Sequence, residues 1–253
     1  MFREFRRDIR IAKTNFEVLG FWHTFKTLLI YFIERFLGRL SDDNFDKKHG
    51  VSTSGNLTLE QLGINDPYSI VYVPTHERVM KHVLKNLDID HSKYVFVDLG
   101  CGKGRAILMA MSFPFEEVIG VELSSVTSAI AEKNIEIYKS KGLQQCRSVK
   151  ICCENAMDFK IPDSNVVFYL YRPFTGPVLE KVIDNICEAG SKSSGRFLIA
   201  HSCVSSEVNK LLRSKGALIE TKEYETMNTE HSWSLWEYKK LSKFDNSVRP
   251  PIH

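Results

Sequence analysis

No two of the six cysteines in this 253-residue chain (Cys101, Cys146, Cys152, Cys153, Cys187, Cys203) are spaced C-x-x-C. No grouping of histidines, cysteines and acids has metal-ligand spacing, so zinc ribbons and their relatives are excluded. Cys152, Cys153 and Cys203 fall in or beside predicted buried strands. The set therefore reads as reduced thiols acting as small apolar residues, which predicts a cytoplasmic compartment. Cys152 and Cys153, being adjacent, should face opposite sides of a strand. Charge of one sign is also scarce. The formal net charge is +3 and the pI about 8.4, without the concentrated basic surface of a nucleic-acid binder. Long apolar runs are missing: the longest plausible span, 18–33, contains His23 and Lys26, too short and too interrupted to cross a bilayer. No small-residue cleavage site follows it, so no secretory signal is expected. Internal repeats and low-complexity tracts are absent as well.

What remains is a chain with 43% hydrophobic residues, enough to bury a sizeable core. Its organisation reads as an N-terminal helical extension with a linker or lid (1–68), an α/β domain (69–240) and a frayed tail (241–253). Within 1–40, eight Lys/Arg face four acids. Val18, Phe21, Trp22, Phe25, Leu28, Leu29, Phe32, Ile33, Phe36 and Leu40 recur at helical spacing. Such an amphipathic helix either packs on the α/β domain and caps its cleft, or makes peripheral membrane contact through residues 16–40. Residues 41–68 are polar and turn-rich. Thr75 is placed to cap a helix running to residue 87, with Val79, Val83 and Leu87 inward.

From residue 94 strands and helices alternate. Strands are predicted at 94–98, 118–122, 148–153, 166–171 and 196–201. Helices are predicted at 104–111, 125–141 (with Val126, Ile130 and Ile137 inward), 178–189 and 205–215. Two last strands, 218–224 and 232–238, have no long helix between them and could pair antiparallel. The pattern predicts a Rossmann-like, seven-stranded, mostly parallel sheet with helices on both faces.

Four strand ends carry polar signals, and ligands on such sheets bind at the carboxyl ends of strands. The first is Val97-Asp98-Leu99-Gly100-Cys101-Gly102-Lys103-Gly104-Arg105. Glycines permit positive φ and close approach of a ligand to the backbone. A dinucleotide fingerprint would put its third glycine at 105, where this chain has Arg105, and an acid at 98 opposes a pyrophosphate. An acid there suits a cofactor with a cationic amino-acid end. S-adenosyl-L-methionine has an ammonium, a sulfonium and no phosphate. The second signal is Glu122, 24 residues after Asp98, an acid able to accept both ribose hydroxyls. The third is Glu154-Asn155-Ala156-Met157-Asp158, where Asn155 or Asp158 could meet an adenine amino group, or simply form an Asx turn. The fourth is Tyr169-Leu170-Tyr171-Arg172-Pro173-Phe174.

With these motifs the chain resembles the seven-strand, class I S-adenosylmethionine-dependent methyltransferases over about residues 70–240. It looks closest to a small, largely bacterial group with the pattern F-D-x-x-[YH]-G-V-x-T-x-G followed by Y-x-P-T. Here these are Phe45 to Gly55 and Tyr72-Val73-Pro74-Thr75. The Y-x-P-T arrangement is more loosely similar to small lysine methyltransferases. The resemblance implies that Asp98, Gly100, Cys101, Gly102, Lys103 and Gly104 hold the methionine moiety. It places Glu122, with Leu123 beside it, at the ribose, and Asn155 and Ala156 at the adenine. Tyr72 and Thr75 would close the pocket. Relatives often carry Asn-Pro-Phe after strand four. Arg172 stands here instead, and it cannot accept a hydrogen bond from a substrate amine. It could clamp a carboxylate or phosphate, or form an ion pair on the sheet rim.

Methyl transfer from a sulfonium asks mainly for alignment and exclusion of water. Tyr171 and Tyr72 are candidates to face the cation. His201 and His49 are candidate bases should the acceptor arrive protonated, and Glu154 and Tyr169 are weaker ones. The substrate would be a protein amine such as lysine, or an acidic small molecule or lipid. A non-catalytic cofactor-binding module and a nicotinamide-dependent oxidoreductase are the alternatives.

Overall fold

The computed structural model describes residues 44–240, apart from 56, 59, 64–67, 70, 71, 173, 204 and 226–230. The readings made above for 1–40 and for the tail lie outside the described residues. The chain divides into two compact units, 1–48 and 49–253. Of the first, only residues 44–48 are described, within a short helix α1 (Asn44–His49).

The second unit holds a seven-stranded sheet. Its strands are β1 (Tyr94–Leu99), β2 (Glu117–Glu122), β3 (Ser148–Cys153), β4 (Asn165–Tyr171), β5 (Phe197–Ser202), β6 (Leu218–Tyr224) and β7 (Trp233–Tyr238), in the order β3-β2-β1-β4-β5-β7-β6. The first five are parallel, and β7 runs antiparallel to both β5 and β6. The helices are α2 (Glu77–Lys85), α3 (Arg105–Met111), α4 (Ser125–Ser140), α5 (Gly176–Lys192) and α6 (Ser206–Ser214). β1, in the middle, is buried at all six positions, because helices cover both faces of a parallel sheet. Its alternate residues serve two layers. Val95, Val97 and Leu99 pack with Val166, Phe168, Phe197 and Ile199, and with Leu179, Val182, Ile183 and Ile186 of α5. Phe96 instead packs against Phe115 and stacks with Tyr169 at 6.0 Å. Period-two alternation therefore puts Asp98 on the Phe96 layer, at the carboxyl end of the strand.

The last two strands do pair antiparallel, and β7 inserts between β5 and β6. Being interior, β7 buries Trp233, Leu235 and Trp236. Arg196, just before β5, holds the end of β7 against the sheet, donating to Glu237 at 2.9 and 3.1 Å.

Three local expectations need correction. Helix α2 begins at Glu77 with His76, not Thr75, in the capping position, and no side chain caps it; Thr75 is instead buried. In α4 the inward face is Thr127, Ala131, Asn134 and Tyr138, while Val126 is exposed. The reason is that Asn134 hydrogen-bonds the backbone of Ser52 and Lys103, and Ala131 packs on Gly104. Polar tertiary bonds rotate the helix one residue from its apolar stripe. Finally, β3 is an edge strand with alternating exposed positions. Cys153 is consequently exposed and Cys152 half-buried: the two do face opposite ways, but not in a buried strand.

Gly120 of β2 sits opposite Asp98 in the ladder. A Cβ there would lie 2.7 Å from Cys101 Sγ and 2.7 Å from Ile151 Cδ1. Gly120→Ala should lower stability by about 1–3 kcal/mol, as overpacking of a filled core does, measured by urea denaturation; an unchanged midpoint would show that the turn yields freely.

Candidate active site

The β1–α3 turn is built by three glycines in the left-handed region, Gly100 (φ 89), Gly102 (φ 54) and Gly104 (φ 84). A side chain would strain each conformation, and at Gly102 there is a second reason. A Cβ on Gly102 would fall 2.2 Å from Cε2 of Tyr72, because the Tyr72 ring lies directly on this residue. The turn is tied to β2 by Gly100 and Cys101, whose N–H groups donate to Val121 O at 2.9 and 3.0 Å. Glu122 completes the tie: its Oε2 accepts from Gly102 N at 2.8 Å and its Oε1 from Ser124 N at 2.9 Å.

Above the carboxyl ends of the strands lies a cavity of about 750 Å³, counted with its open mouth. Its floor is Gly100, Gly102, Val121 and Glu122, and its far walls are Glu154, Asn155, Ala156, Tyr171 and Arg172. A strap closes it from above. Ser69, Tyr72 and Val73 line it; the backbone bridges Ser69 to Phe174 and Tyr72 to Leu57. Thr175 N donates to Tyr68 O at 2.9 Å, fastening the strap beyond β4. Leu62 also lines the cavity, fixed by Ser124 Oγ donating to its carbonyl at 2.6 Å.

Nine of the residues singled out from the sequence meet around this cavity: Tyr72, Gly100, Gly102, Glu122, Leu123, Glu154, Asn155, Ala156 and Tyr171, with Arg172 at the rim as a tenth. Asn155 does form the Asx turn, its Oδ1 accepting from Met157 N at 2.9 Å, and it still lines the cavity. Asp98 lies just beneath, only 4% exposed, with no hydrogen bond to its carboxyl group among the described residues. Burial, reinforced by the neighbouring Glu122 carboxylate, pushes Asp98 up to about 8. Arg172 adopts φ 47, is exposed, and makes no ion pair among the described residues.

Six others stand back from the cavity. Cys101 is buried against Gly120 and Thr75 is enclosed. Gly104 packs on Ala131. Lys103 Nζ donates to Ser54 O at 2.7 Å and Gly55 O at 3.3 Å. His201 is buried beside Asn209 Oδ1 at 3.3 Å, and burial lowers it to about 4, so it is neutral. His49 packs its ring on Tyr138. Sequence reasoning passed over Leu62, Ser69, Val73, Phe174 and Val178 as lining residues. The first three sit in turn-rich sequence with no periodic signal, and isolated bridges to Phe174 and Leu57 and the Ser124 bond bring the strap and the Leu62 loop to the cavity.

The sheet order and these strand-end residues define the S-adenosylmethionine-dependent class I methyltransferases. A solved structure with this fold, the SAM-dependent O-methyltransferase of Thermotoga maritima, superposes with TM-score 0.51 at 15% identity, covering 74% of this chain and 73% of its own. Residues 65–239 match the histone methylation protein DOT1 family, and the chain belongs to it. Two curated relatives agree. The histone-lysine N-methyltransferase, H3 lysine-79 specific, of Dictyostelium discoideum is 27% identical over 136 residues, which are 51% of this chain and 7% of that protein. A protein-lysine N-methyltransferase of Saccharolobus islandicus is 37% identical over 68 residues, 26% of this chain and 42% of that one. The chain thus spans less than half the length of either. The site fits the cofactor of the class: a buried carboxyl group unpartnered among the described residues calls for a cation, and side-chain-free turn residues admit a ligand to the backbone.

Because Asp98 in the folded protein titrates near 8, far above the ordinary carboxyl, the folded state holds a proton that the unfolded chain releases near pH 4. This contribution to stability is complete at low pH and falls as pH rises from about 4 to 8. The slope is up to about 1.4 kcal/mol per pH unit. Asp98→Asn should flatten it, so the variant gains on the parent as pH rises through that window in urea melts. Parallel curves would mean that Asp98 is already ionised.

Proposed function

We propose that this chain transfers a methyl group from S-adenosylmethionine to an amine nitrogen of a lysine side chain in a protein. The observation that carries the cofactor half is the buried Asp98–Glu122 pair beneath a glycine turn that leaves the backbone bare. The lysine half is supported by what the two curated relatives are named for. When bound, the cofactor supplies an activated methyl group on a sulfonium. The chain's residues do the rest. Asp98 would take the cationic amino-acid end and ionise as the charge arrives. Glu122, with two backbone N–H groups already on its oxygens, keeps lone pairs for ribose hydroxyls, with Leu123 flanking it. Asn155 and Ala156 would meet the adenine edge. The Tyr72 ring closes the roof and, with Tyr171 at the end of β4, offers aromatic surface to a cation. Exclusion of water and alignment can lower such a barrier by roughly 7–11 kcal/mol. We assign no proton transfer to the enclosed His201.

Calorimetric titration with S-adenosylhomocysteine tests the cofactor half. Glu122→Ala should weaken binding by about 100-fold, since it removes charge-assisted bonds to the ligand and the tie to Gly102. Equal affinities in parent and variant would remove Glu122 from the site.

One observation favours a second reading of the acceptor. The Arg172 guanidinium at the rim, without an ion pair among the described residues, would repel a lysine and would grip a carboxylate or phosphate. Incubation with methyl-labelled cofactor and a protein extract separates the two. Label recovered as methyl-lysine after acid hydrolysis supports the lysine acceptor. Label released as methanol by mild base marks a methylated carboxylate, and its loss in Arg172→Ala would assign the anion to that residue.

A further inference from the structure

The two basic residues of the glycine motif do not face the cavity. Lys103 and Arg105 are 6% and 2% exposed, and both reach back to one short stretch, Ser52–Gly55. Arg105 Nε donates to Thr53 Oγ1 at 2.7 Å and its Nη2 to Ser54 Oγ at 2.7 Å. Lys103 Nζ takes the Ser54 and Gly55 carbonyls. Asn134 of α4 closes the arrangement, its Oδ1 accepting from Ser52 N at 2.9 Å while its Nδ2 donates to Ser52 O and Lys103 O. The stretch itself does not line the cavity, but it holds a residue that does: Tyr72 OH donates to Thr53 O at 2.7 Å. Lys103 Nζ also lies 5.2 Å from the centre of the Tyr72 ring. Among the described residues Tyr72 is anchored by bare Gly102 beneath its face, Thr53 at its hydroxyl and the Lys103 ammonium beside its ring.

We propose that Arg105 and Lys103 are positioning residues of the cofactor site: they clasp Ser52–Gly55, and through Thr53 this clasp holds Tyr72 on the glycine turn. Arg105 occupies the position where a dinucleotide fold has its third glycine, so the substitution that excludes that fold supplies the clasp. A buried guanidinium is costly unless its donors are satisfied. If the stretch leaves, the Nε and Nη2 bonds of the guanidinium go with it, which couples the two. Thr53 is the shared element, since Arg105 binds its hydroxyl and Tyr72 its carbonyl.

This inference rests on the reading that the cavity takes S-adenosylmethionine, and the test separates the two. S-adenosylhomocysteine is titrated into the full chain and into Arg105→Ala, Arg105→Lys, Thr53→Val, Tyr72→Phe and the double variant Arg105→Ala/Tyr72→Phe. Each is kept below its own melting transition. Arg105→Ala should bind at least about tenfold more weakly, with Arg105→Lys recovering part of the loss. Thr53→Val, a milder change that removes only the hydroxyl acceptor, should weaken binding in the same direction. The double variant should bind no worse than Arg105→Ala alone, because both changes act through Thr53. A merely structural clasp would lower melting temperatures and leave these affinities alone. Parent-like affinity in folded Arg105→Ala or in Thr53→Val overturns the proposal, and so do losses that multiply in the double variant. If the parent itself binds no S-adenosylhomocysteine, the cofactor reading fails first and takes this one with it.

Discussion

Gly102 has no side chain, and the Tyr72 ring occupies the space a Cβ would need. That contact joins three parts of the chain distant in sequence: the glycine turn after β1, the strap that reaches the far side of β4, and the Ser52–Gly55 stretch behind. Because the turn is bare, the ring can approach to van der Waals distance and act as a wall of the cavity. Because Glu122 accepts the Gly102 N–H, the floor is locked to β2 at the same residue. A single backbone position thus sets the separation between floor and roof.

The charge arrangement follows from topology. Parallel strands end together, so acids at the ends of β1 and β2 are brought side by side in a place that helices and the strap have dried. Water would screen them; its exclusion makes their proximity felt, and the protein relieves it by keeping Asp98 protonated. A cationic ligand relieves it better. The fold therefore selects for cationic character near β1, whereas the rim at β4 carries the opposite sign in Arg172. The two ends of the cavity are chemically unlike, as a site for two different ligands should be.

Much of this was legible in the chain before any coordinates. Strands β1, β2, β4 and β5 read as short apolar runs with polar residues at their ends. The glycine spacing with Asp98, and Glu122 one strand later, pointed to the cofactor class that the DOT1 family membership bears out. Other features were hidden for definite reasons. The strap around Ser69–Val73 has no periodicity, since it is held by isolated bridges rather than by a ladder. The inward face of α4 follows hydrogen bonds of Asn134 rather than apolar spacing, so a hydrophobic stripe could not reveal it. The edge position of β3 depends on which strands lie beside it, which no local pattern encodes.

Sequence alone determined the succession of elements, the parallel core and the residues at the strand ends, because these depend on local periodicity and on the rule that ligands meet a sheet at its carboxyl edge. Tertiary structure decided the rest: that β7 inserts between β5 and β6, that Lys103 and Arg105 turn away from the cavity, and that His201 is sealed off beside Asn209. The first two depend on contacts between residues tens of positions apart, and the third on a contact across the β5–α6 connection. Such contacts are settled by packing and by the need to satisfy buried polar groups, and a local reading of neighbouring residues does not contain them.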